Sequence, residues 1–356
     1  MRILFGSAHP YLPQMTGGAQ MSTHELVLRI RARGHAVAVL GGLTGDGLLG
    51  LKSRVRLKLS RRKWVCDRSL DYPVYRAWFA QDVAEDVARD FRADVAVFQS
   101  RLPVTLAEAI DRSRVRTFIY LRNVEDKDLG GRPGALSDTG FIANSRFTAE
   151  RFARTDGIQA AVVYPMIDPD RYRVTSDRRN VTFINPHPDK GVDVALAVAE
   201  RCPDIPFLFL RAWGLSDAEE AALQARLATL PNVTLRASTT DMKSVYADAA
   251  IVLAPSRWEE AFGRIAAEAH VSGIPVVGSN RGGLPEAIGP GGIIVPADAP
   301  IEAWVDAVRR LWDDPAAYRE ASEASLRHAA RSEMNAEAQV DRLLELFATP
   351  LDESDG

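Results

Sequence analysis

Long hydrophobic runs and paired cysteines are both missing from this 356-residue chain. No stretch approaches the roughly twenty consecutive apolar residues that a membrane-spanning helix needs, and an apolar strand-like run begins at Ile3 without the basic region of a secretory signal. Cys66 and Cys202 lie far apart in sequence and have no metal ligands at short spacing. These absences predict a cytoplasmic protein with neither a disulfide framework nor a zinc ribbon.

Metal-binding histidine motifs are absent as well. The six histidines form no HExxH or HxxxH pair that would place two ligands on one face of a helix. The composition, with 46% apolar and 26% charged residues, is that of a globular protein. The length allows two domains, each with a large core of its own.

Charge is divided unevenly along the chain, although the net charge is only -3. Residues 1–175 contain 27 Lys and Arg against 19 Asp and Glu, whereas the remaining residues contain 17 against 28. A basic first half and an acidic second half indicate that the first half meets an anionic molecule at its surface.

Short apolar runs alternate regularly with longer segments of helical period. This alternation predicts an α/β protein with two tandem doubly wound, Rossmann-like domains of about six parallel strands each. We expect an N-terminal domain at 1–168, a second domain at 169–332, and a terminal helix and acidic tail at 333–356, with the helix packing back on the first domain. The boundary is expected near residues 165–176, where two prolines interrupt the pattern.

Ligands bind at the carboxyl ends of the strands in open parallel sheets, which draws attention to the loop after the first strand. This loop contains Gly17 and Gly18 directly before a predicted helix at 19–33. Glycines at a helix N-terminus leave backbone N–H groups accessible to a phosphate. A tight turn that simply starts the helix is the alternative.

Two glutamates eight residues apart follow a predicted strand at 250–254. Glu260 is expected in the loop and Glu268 inside the helix that starts near Phe262, where the amides of Ala261, Phe262 and Gly263 could bind sugar hydroxyls or phosphate. Glu268 is flanked by alanines, an unusual setting for a carboxylate unless it accepts hydrogen bonds. The alternative is that both are solvated acids.

This segment resembles the E-x7-E signature of the family 4 glycosyltransferases, which are retaining enzymes of the two-domain GT-B fold. Four further motifs of the family follow in the expected order, so that the resemblance spans nearly the whole chain. They are Gly17 and Gly18, NSRFTAERF at 144–152, DKG at 189–191 and GGLPE at 282–286.

The resemblance implies a role for each matching residue. Glu268 would hold the nucleotide ribose and Glu260 the transferred sugar, while Lys190 and the amides of Gly17 and Gly18 would hold the diphosphate. The donor, a UDP- or GDP-linked sugar, would lie in the cleft between the domains. Neither a metal ion nor a further cofactor is expected, because Lys190 and the amides can offset the charge of the leaving diphosphate.

The sequence departs from the family pattern at two places. The segment NPHPDKG at 185–191 lacks the arginine that the family usually has there, so a second phosphate-binding cation is unassigned. The fourth strand ends in Gln99 and Ser100 instead of histidine, which favours a mechanism in which the leaving phosphate takes the acceptor proton. Two D-x-D matches, at 126–128 and 168–170, are interpreted as turns and not as metal ligands.

A basic segment at 51–64 has no assigned partner. It contains seven Lys or Arg between positions 52 and 63 and no acid. Leu48, Leu51, Val55 and Leu59 fall at a spacing compatible with an amphipathic helix, although Arg54 to Leu59 also alternates like a strand. The segment could dock on anionic lipid at the inner membrane surface, recognise an anionic acceptor, or be a solvated face. The preceding GxGxxG match at 45–50 is interpreted as a flexible loop.

Together these features predict a retaining, metal-independent hexosyltransferase with catalytic residues Glu260 and Lys190. Its acceptor would be a glycan, a lipid or a small molecule with a hydroxyl group, and no nucleic-acid partner is expected. The alternatives are a nucleotide-sugar 2-epimerase or hydrolase on the same fold, and a nucleotide-sugar binding protein without catalysis.

Overall fold

The computed structural model describes residues 1–110 and 115–349. The chain forms two compact units, and it passes from one to the other twice. The first unit contains Met1–Met166 together with the described residues from Asn335 onward, and the second contains Ile167–Met334.

The first unit is built on an eight-stranded sheet. Its strands are β1 (Arg2–Pro10), β2 (Ala36–Gly42), β3 (Trp64–Asp67), β4 (Val74–Ala77), β5 (Val95–Gln99), β6 (Arg116–Leu121), β7 (Thr139–Ala143) and β8 (Ala161–Val162). The spatial order is β3-β4-β2-β1-β5-β6-β7-β8. The pair β3 and β4 is antiparallel, and the other described pairs are parallel.

Helices connect these strands along the chain. They are α1 (Gly18–Ala32), α2 (Gly47–Leu59), α3 (Ala84–Phe91), α4 (Pro103–Glu108), α5 (Asp126–Leu129) and α6 (Arg146–Asp156). Both faces of the sheet are covered, because successive residues of β1 enter different apolar clusters: Ile3 and Phe5 pack on one face and Leu4 on the other.

The second unit has a six-stranded sheet that is parallel throughout its described pairs. Its strands are β9 (Asn180–Ile184), β10 (Phe207–Leu210), β11 (Val233–Arg236), β12 (Ala249–Ala254), β13 (Val276–Ser279) and β14 (Gly292–Val295). The order β11-β10-β9-β12-β13-β14 reverses direction between β9 and β12, which is the arrangement of a Rossmann sheet.

Helices of the second unit lie between and after these strands. They are α7 (Pro169–Tyr172), α8 (Val192–Arg201), α9 (Asp217–Leu227), α10 (Lys243–Tyr246), α11 (Arg264–His270), α12 (Leu284–Ile288), α13 (Ile301–Asp313) and α14 (Pro315–Ala329).

The last helix, α15 (Ala336–Ala348), belongs to the first unit. Its buried residues Val340, Leu343 and Phe347 join the apolar cluster that contains Ile3. The Phe347 ring lies 5.1 Å from that of Phe118 on β6, measured between ring centroids.

The prediction of two Rossmann-like domains is confirmed. Two short strands, β3 and β8, were not expected from the sequence, because β3 continues directly from the basic segment and β8 has only two residues. The interpretation of the GxGxxG match as a flexible loop is wrong for Gly47 and Gly50, which lie in α2. Among the described residues, none of the helices has the length and apolar character needed to cross a bilayer.

Candidate active site

The point at which the second sheet reverses its strand order brings two loops together. The loop after β9 leads through a 3-10 turn at Pro188–Lys190, and the loop after β12 leads from Pro255 to Gly263. The carbonyl of Asp189 accepts hydrogen bonds from the backbone N–H groups of Arg257 and Trp258, both at 2.9 Å. Ligand sites of parallel sheets form at such crevices, and this one carries both predicted catalytic residues.

Lys190 and Glu260 meet across these two loops. The Lys190 Nζ donates to Glu260 Oε1 at 2.6 Å, and the Ser256 hydroxyl donates to the same oxygen at 3.0 Å. The two charged side chains are 16% and 20% exposed, so the pair is partly shielded but open to a ligand. Because an ammonium has three donors, Lys190 can bind an anion while it stays bonded to Glu260.

Aromatic rings border the Lys190 ammonium. Its Nζ lies 4.7 Å from the centroid of the Trp213 ring, which packs edge-on against His187 and Trp258. Trp213 is 48% exposed, and its backbone N–H donates to Asn185 Oδ1 at 3.0 Å. Trp213 was not predicted from the sequence. Its position just after β10, at the same sheet edge as the other two loops, is the signal that could have found it.

Glycines allow three loops of this site, those after β9, β12 and β13, to approach one another closely. Gly191 has a φ of +76°, and a Cβ on it would lie 2.0 Å from the carbonyl oxygen of Pro255. Gly282 has a φ of +61°, and its Cβ would lie 2.2 Å from the carbonyl oxygen of Glu260. That oxygen accepts a hydrogen bond from the Gly283 N–H at 2.6 Å. The GGLPE motif therefore fixes the backbone of Glu260.

Glu268 lies inside α11, as predicted, and the helix begins at Arg264, two residues after Phe262. Its carboxylate is 9% exposed and accepts hydrogen bonds from Arg264 Nε at 2.7 Å and from the Tyr246 hydroxyl at 3.0 Å. Burial and the adjacent Glu268 charge raise the pKa of Tyr246 well above its ordinary value, which keeps this hydroxyl a donor.

The residues between the two glutamates form the loop ahead of α11. Ala261 and Phe262 precede the helix, the side chain of Phe262 is buried, and Gly263 is the N-cap residue with a φ of +98°. Glycine is suited to this left-handed conformation, and its missing side chain leaves room for Leu284, whose Cδ1 would lie 2.7 Å from a Cβ.

Gly17 and Gly18 belong to the first unit, whereas Lys190, Glu260 and Glu268 belong to the second. Gly17 is the N-cap residue of α1 in an extended conformation, and as a glycine it has no side chain with which to cap the helix. The glycine pair therefore lies at the start of a helix, as predicted.

A pocket that is open to solvent lies beside α1 in the first unit. His9 at the end of β1 and Gln99 at the end of β5 line it, together with Ser100. Burial and the nearby Arg101 charge lower the pKa of His9, which favours a neutral ring at pH 7. His9 was not predicted from the sequence; it lines the pocket from the end of β1, beside Gln99 and Ser100.

Gln99 is anchored within this pocket wall. Its Nε2 donates to Thr23 Oγ1 at 2.7 Å, while its Oε1 is buried and has no hydrogen-bond partner within residues 1–110 and 115–349. An Arg122 guanidinium nitrogen donates to the Ala19 carbonyl at 3.2 Å, beside the same pocket. A buried acceptor of this kind calls for a donor from water or a ligand.

Other sequence motifs have local structural roles. Ser145 of the NSRFTAERF motif caps α6 by accepting from the Thr148 N–H at 3.0 Å. Asp168 caps α7 by accepting from the Asp170 N–H. Arg211, at the end of β10, forms a two-pronged ion pair with Glu220. Within the described parts of the chain, no three His, Cys, Asp or Glu side chains are grouped as metal ligands would be.

Comparison with known proteins places the second unit in a family. Residues 178–314 match the family model described as glycosyl transferases group 1. D-inositol 3-phosphate glycosyltransferase of Mycobacterium tuberculosis (strain ATCC 25177 / H37Ra) is 31% identical over 203 residues, which cover 49% of this chain and 41% of that protein. The chain thus spans less than half the length of the curated relatives it matches.

Solved structures resemble the whole chain in fold. A glycosyltransferase from Rickettsia africae ESF-5 has a TM-score of 0.77 at 15% identity and covers 99% of both chains. Anabaena HepE, solved in complex with UDP-glucose, has a TM-score of 0.76 at 18% identity, covering 97% of this chain and 99% of its own.

Two Rossmann-like units, the second with a lysine and a glutamate where its strand order reverses, define the GT-B class of fold. Within that class, the resemblance to the family 4 glycosyltransferases is confirmed for the second unit, whose residues 178–314 match the model for glycosyl transferases group 1.

Proposed function

We propose that this protein transfers a sugar from a nucleotide diphosphate sugar to an acceptor hydroxyl, with retention of configuration and without a metal ion. The observation that carries the proposal is the pair of Lys190 and Glu260 where the strand order of the second sheet reverses. A cation and a carboxylate 2.6 Å apart suit a ligand that presents phosphate oxygens next to sugar hydroxyls.

Lys190 is the proposed ligand of the diphosphate. As the bond between the sugar C1 and the phosphate oxygen breaks, positive charge builds on the sugar ring and negative charge on the leaving diphosphate. The Lys190 ammonium stabilises the second of these charges, and the amides at the start of α1 would add to it. The acceptor oxygen then bonds to C1, and its proton passes to the leaving phosphate.

Glu260 is proposed to bind hydroxyls of the transferred sugar, and Glu268 the ribose. Each carboxylate oxygen has two lone pairs, so the oxygens that accept from Arg264 and Tyr246 can each accept one ribose hydroxyl. The amides of Ala261, Phe262 and Gly263 remain the predicted donors to the sugar and phosphate.

The donor is proposed to carry UDP or GDP. HepE, which shares this fold, was solved with UDP-glucose, and this favours UDP for the first assays. The related mycobacterial enzyme is named for D-inositol 3-phosphate, which supports a phosphorylated polyol as one acceptor to test. Arg101 and Arg122 beside the pocket in the first unit could hold its phosphate.

Donor turnover with and without acceptor tests the proposal. A transferase releases nucleotide diphosphate much faster when the right acceptor is present and forms a glycoside with the donor's anomeric configuration. Release that is equally fast without acceptor would indicate an epimerase or a hydrolase. Donor binding without any turnover would indicate a binding protein. A thermal-shift screen of nucleoside diphosphates chooses the base, because a ligand at a hundred times its Kd adds about 2.7 kcal/mol of stability.

Variants of the two glutamates separate their roles. Glu268→Ala should weaken nucleoside diphosphate binding by about 1.5 to 3 kcal/mol, because a charged acceptor of ribose hydroxyls is lost. Glu260→Ala should keep this affinity and lower turnover. Glu259→Ala is the matched control, since it removes a neighbouring exposed carboxylate. Unchanged turnover in Glu260→Ala would contradict the assignment of that residue.

A further inference from the structure

Helix α2 exposes apolar side chains on the face that points away from the first unit. Four of them are between 49% and 83% exposed: Leu48, Leu51, Val55 and Leu59. We call these four the outer ridge. Since successive helical residues are about 100° apart, the ridge lies within an arc of roughly 80°. Gly50 and Ser53, which are buried, lie on the opposite side.

Basic side chains border the outer ridge on both sides. By the same helical geometry, Lys52 and Arg56 lie along one edge and Arg54 and Lys58 along the other. Among residues 1–110 and 115–349, the side chains of Lys52, Arg56 and Lys58 form no ion pair, and there is no acid in α2. An ordinary surface helix has its polar residues at this outward position, so the ridge has no role in the fold of the unit.

Exposed aromatic rings lie next to the helix. The Arg54 guanidinium lies 5.8 Å from the centroid of the Trp78 ring, and Trp78 and its neighbour Phe79 are both exposed. Tryptophan is favoured at the headgroup level of a bilayer, where its ring is partly apolar and its N–H is solvated.

We propose that the outer ridge docks the first unit on an anionic lipid bilayer. In this position the apolar side chains enter the boundary of the acyl chains, while the flanking Lys and Arg extend to the lipid phosphates. A planar, negatively charged surface complements both features at once: an apolar line with cations on either side. The inference does not depend on the reaction that the protein catalyses.

Sedimentation of the full chain with sucrose-loaded vesicles tests the proposal. We expect strong binding to vesicles of phosphatidylglycerol and phosphatidylcholine at low salt, and weak binding to phosphatidylcholine alone. Binding should fall as the Debye length shortens from about 30 Å at 0.01 M salt to about 10 Å at 0.1 M. Equal binding to neutral vesicles, or none to anionic ones at low salt, would overturn the proposal.

Two sets of variants separate the ridge from its charges. The triple variant Lys52→Gln, Arg56→Gln, Lys58→Gln should lower the partition coefficient about 100-fold at low salt, at about 1 kcal/mol per charge. The matched control removes three exposed cations from the second unit, namely Arg310→Gln, Arg319→Gln and Arg327→Gln. It should bind vesicles like the unaltered protein.

The double variant Leu51→Ser, Leu59→Ser keeps every charge and should lower the partition coefficient about tenfold or more, because less apolar surface is buried. Its control is Ile294→Ser, Leu326→Ser, two exposed apolar residues of the second unit. Circular dichroism and donor affinity confirm that each variant is folded. If the charge variant loses binding while the ridge variant keeps it, α2 is only an electrostatic attractor and the docking proposal is wrong.

Discussion

Glu268 binds two side chains of the protein and is also the proposed ligand of the nucleotide ribose. In the described structure its carboxylate holds Arg264 and Tyr246 in place, and Arg264 in turn donates to the Tyr172 hydroxyl at 2.9 Å. These bonds satisfy a buried charge without any ligand. A loss of affinity in Glu268→Ala therefore needs a companion variant, and Tyr246→Phe provides it, because it removes one structural bond and leaves the carboxylate.

Lys190 offers a direct test at the scale of a single residue. We expect Lys190→Ala to lower donor affinity and to lower kcat by about 10² to 10³, because a fixed charge beside the leaving diphosphate is lost. Lys190→Arg should recover only part of this, since a planar guanidinium does not replace a point charge. Lys243→Ala removes an exposed lysine of the same unit and should change neither quantity. Steady-state kinetics and nucleotide titration supply both readouts.

His270 gives the protein a pH-dependent stability. Burial, with the nearby charges of His328 and Arg331, lowers the pKa of His270 from 6.5 to about 3. Between pH 6.5 and about 3, the unfolded chain therefore binds a proton that the folded chain does not. In this range the free energy of unfolding falls by about 1.4 kcal/mol for each unit by which the pH decreases. His270→Phe should reduce the loss of Tm between pH 7 and pH 5. Equal losses in both proteins would contradict the prediction.

At the scale of elements, the site depends on how closely the loop after β13, which contains Gly282, approaches the loop after β12, which contains Glu260. Gly282→Ala forces a Cβ to within 2.2 Å of the Glu260 carbonyl oxygen at a φ of +61°. The strain is of the order of 1 to 2 kcal/mol, and a displacement of Glu260 by about 1 Å would lower turnover about 100-fold. Gly214→Ala is the control, because its Cβ meets open space. Normal turnover in Gly282→Ala would show that the loop tolerates the shift.

Ligands bind at the carboxyl ends of the strands in a parallel sheet, and this explains how far the sequence could predict the site. Lys190 and Glu260 each follow an apolar strand, so their approach could be expected from the topology of a parallel sheet. Trp213 also follows a strand and His9 lies near the end of one, but neither belongs to a motif with a characteristic spacing, so the sequence did not single them out. The partners of Glu268 were beyond reach for another reason: Tyr246 comes from α10, and only packing decides which side chain meets α11.

Strands were predicted best where they are buried on both faces. The inner strands of the second sheet, β9, β10, β12 and β13, are largely buried and coincide with apolar runs in the sequence, because helices cover both sides of the sheet. The edge strand β3 was missed, since it pairs with β4 alone and follows directly on basic residues.

At the scale of the whole molecule, a variant in α15 can test whether this last helix is part of the first unit. Phe347 in α15 is 1% exposed and packs against Phe118, so Phe347→Ala should cost about 3 to 5 kcal/mol of stability. The loss should appear in the first unit only. Hydrogen exchange should become faster in β1 and β6 and stay unchanged in β9 and β12. Faster exchange in β9 would contradict the assignment of α15 to the first unit.

The double passage of the chain between the units has a consequence for biosynthesis. A ribosome completes residues 167–334 before it reaches α15, so the second unit can reach its native state while the first still lacks part of its core. During that interval the apolar surface that α15 covers is open, and it is there that a nascent-chain chaperone would be expected to bind. The half of the protein that is translated first is thus the later of the two to mature.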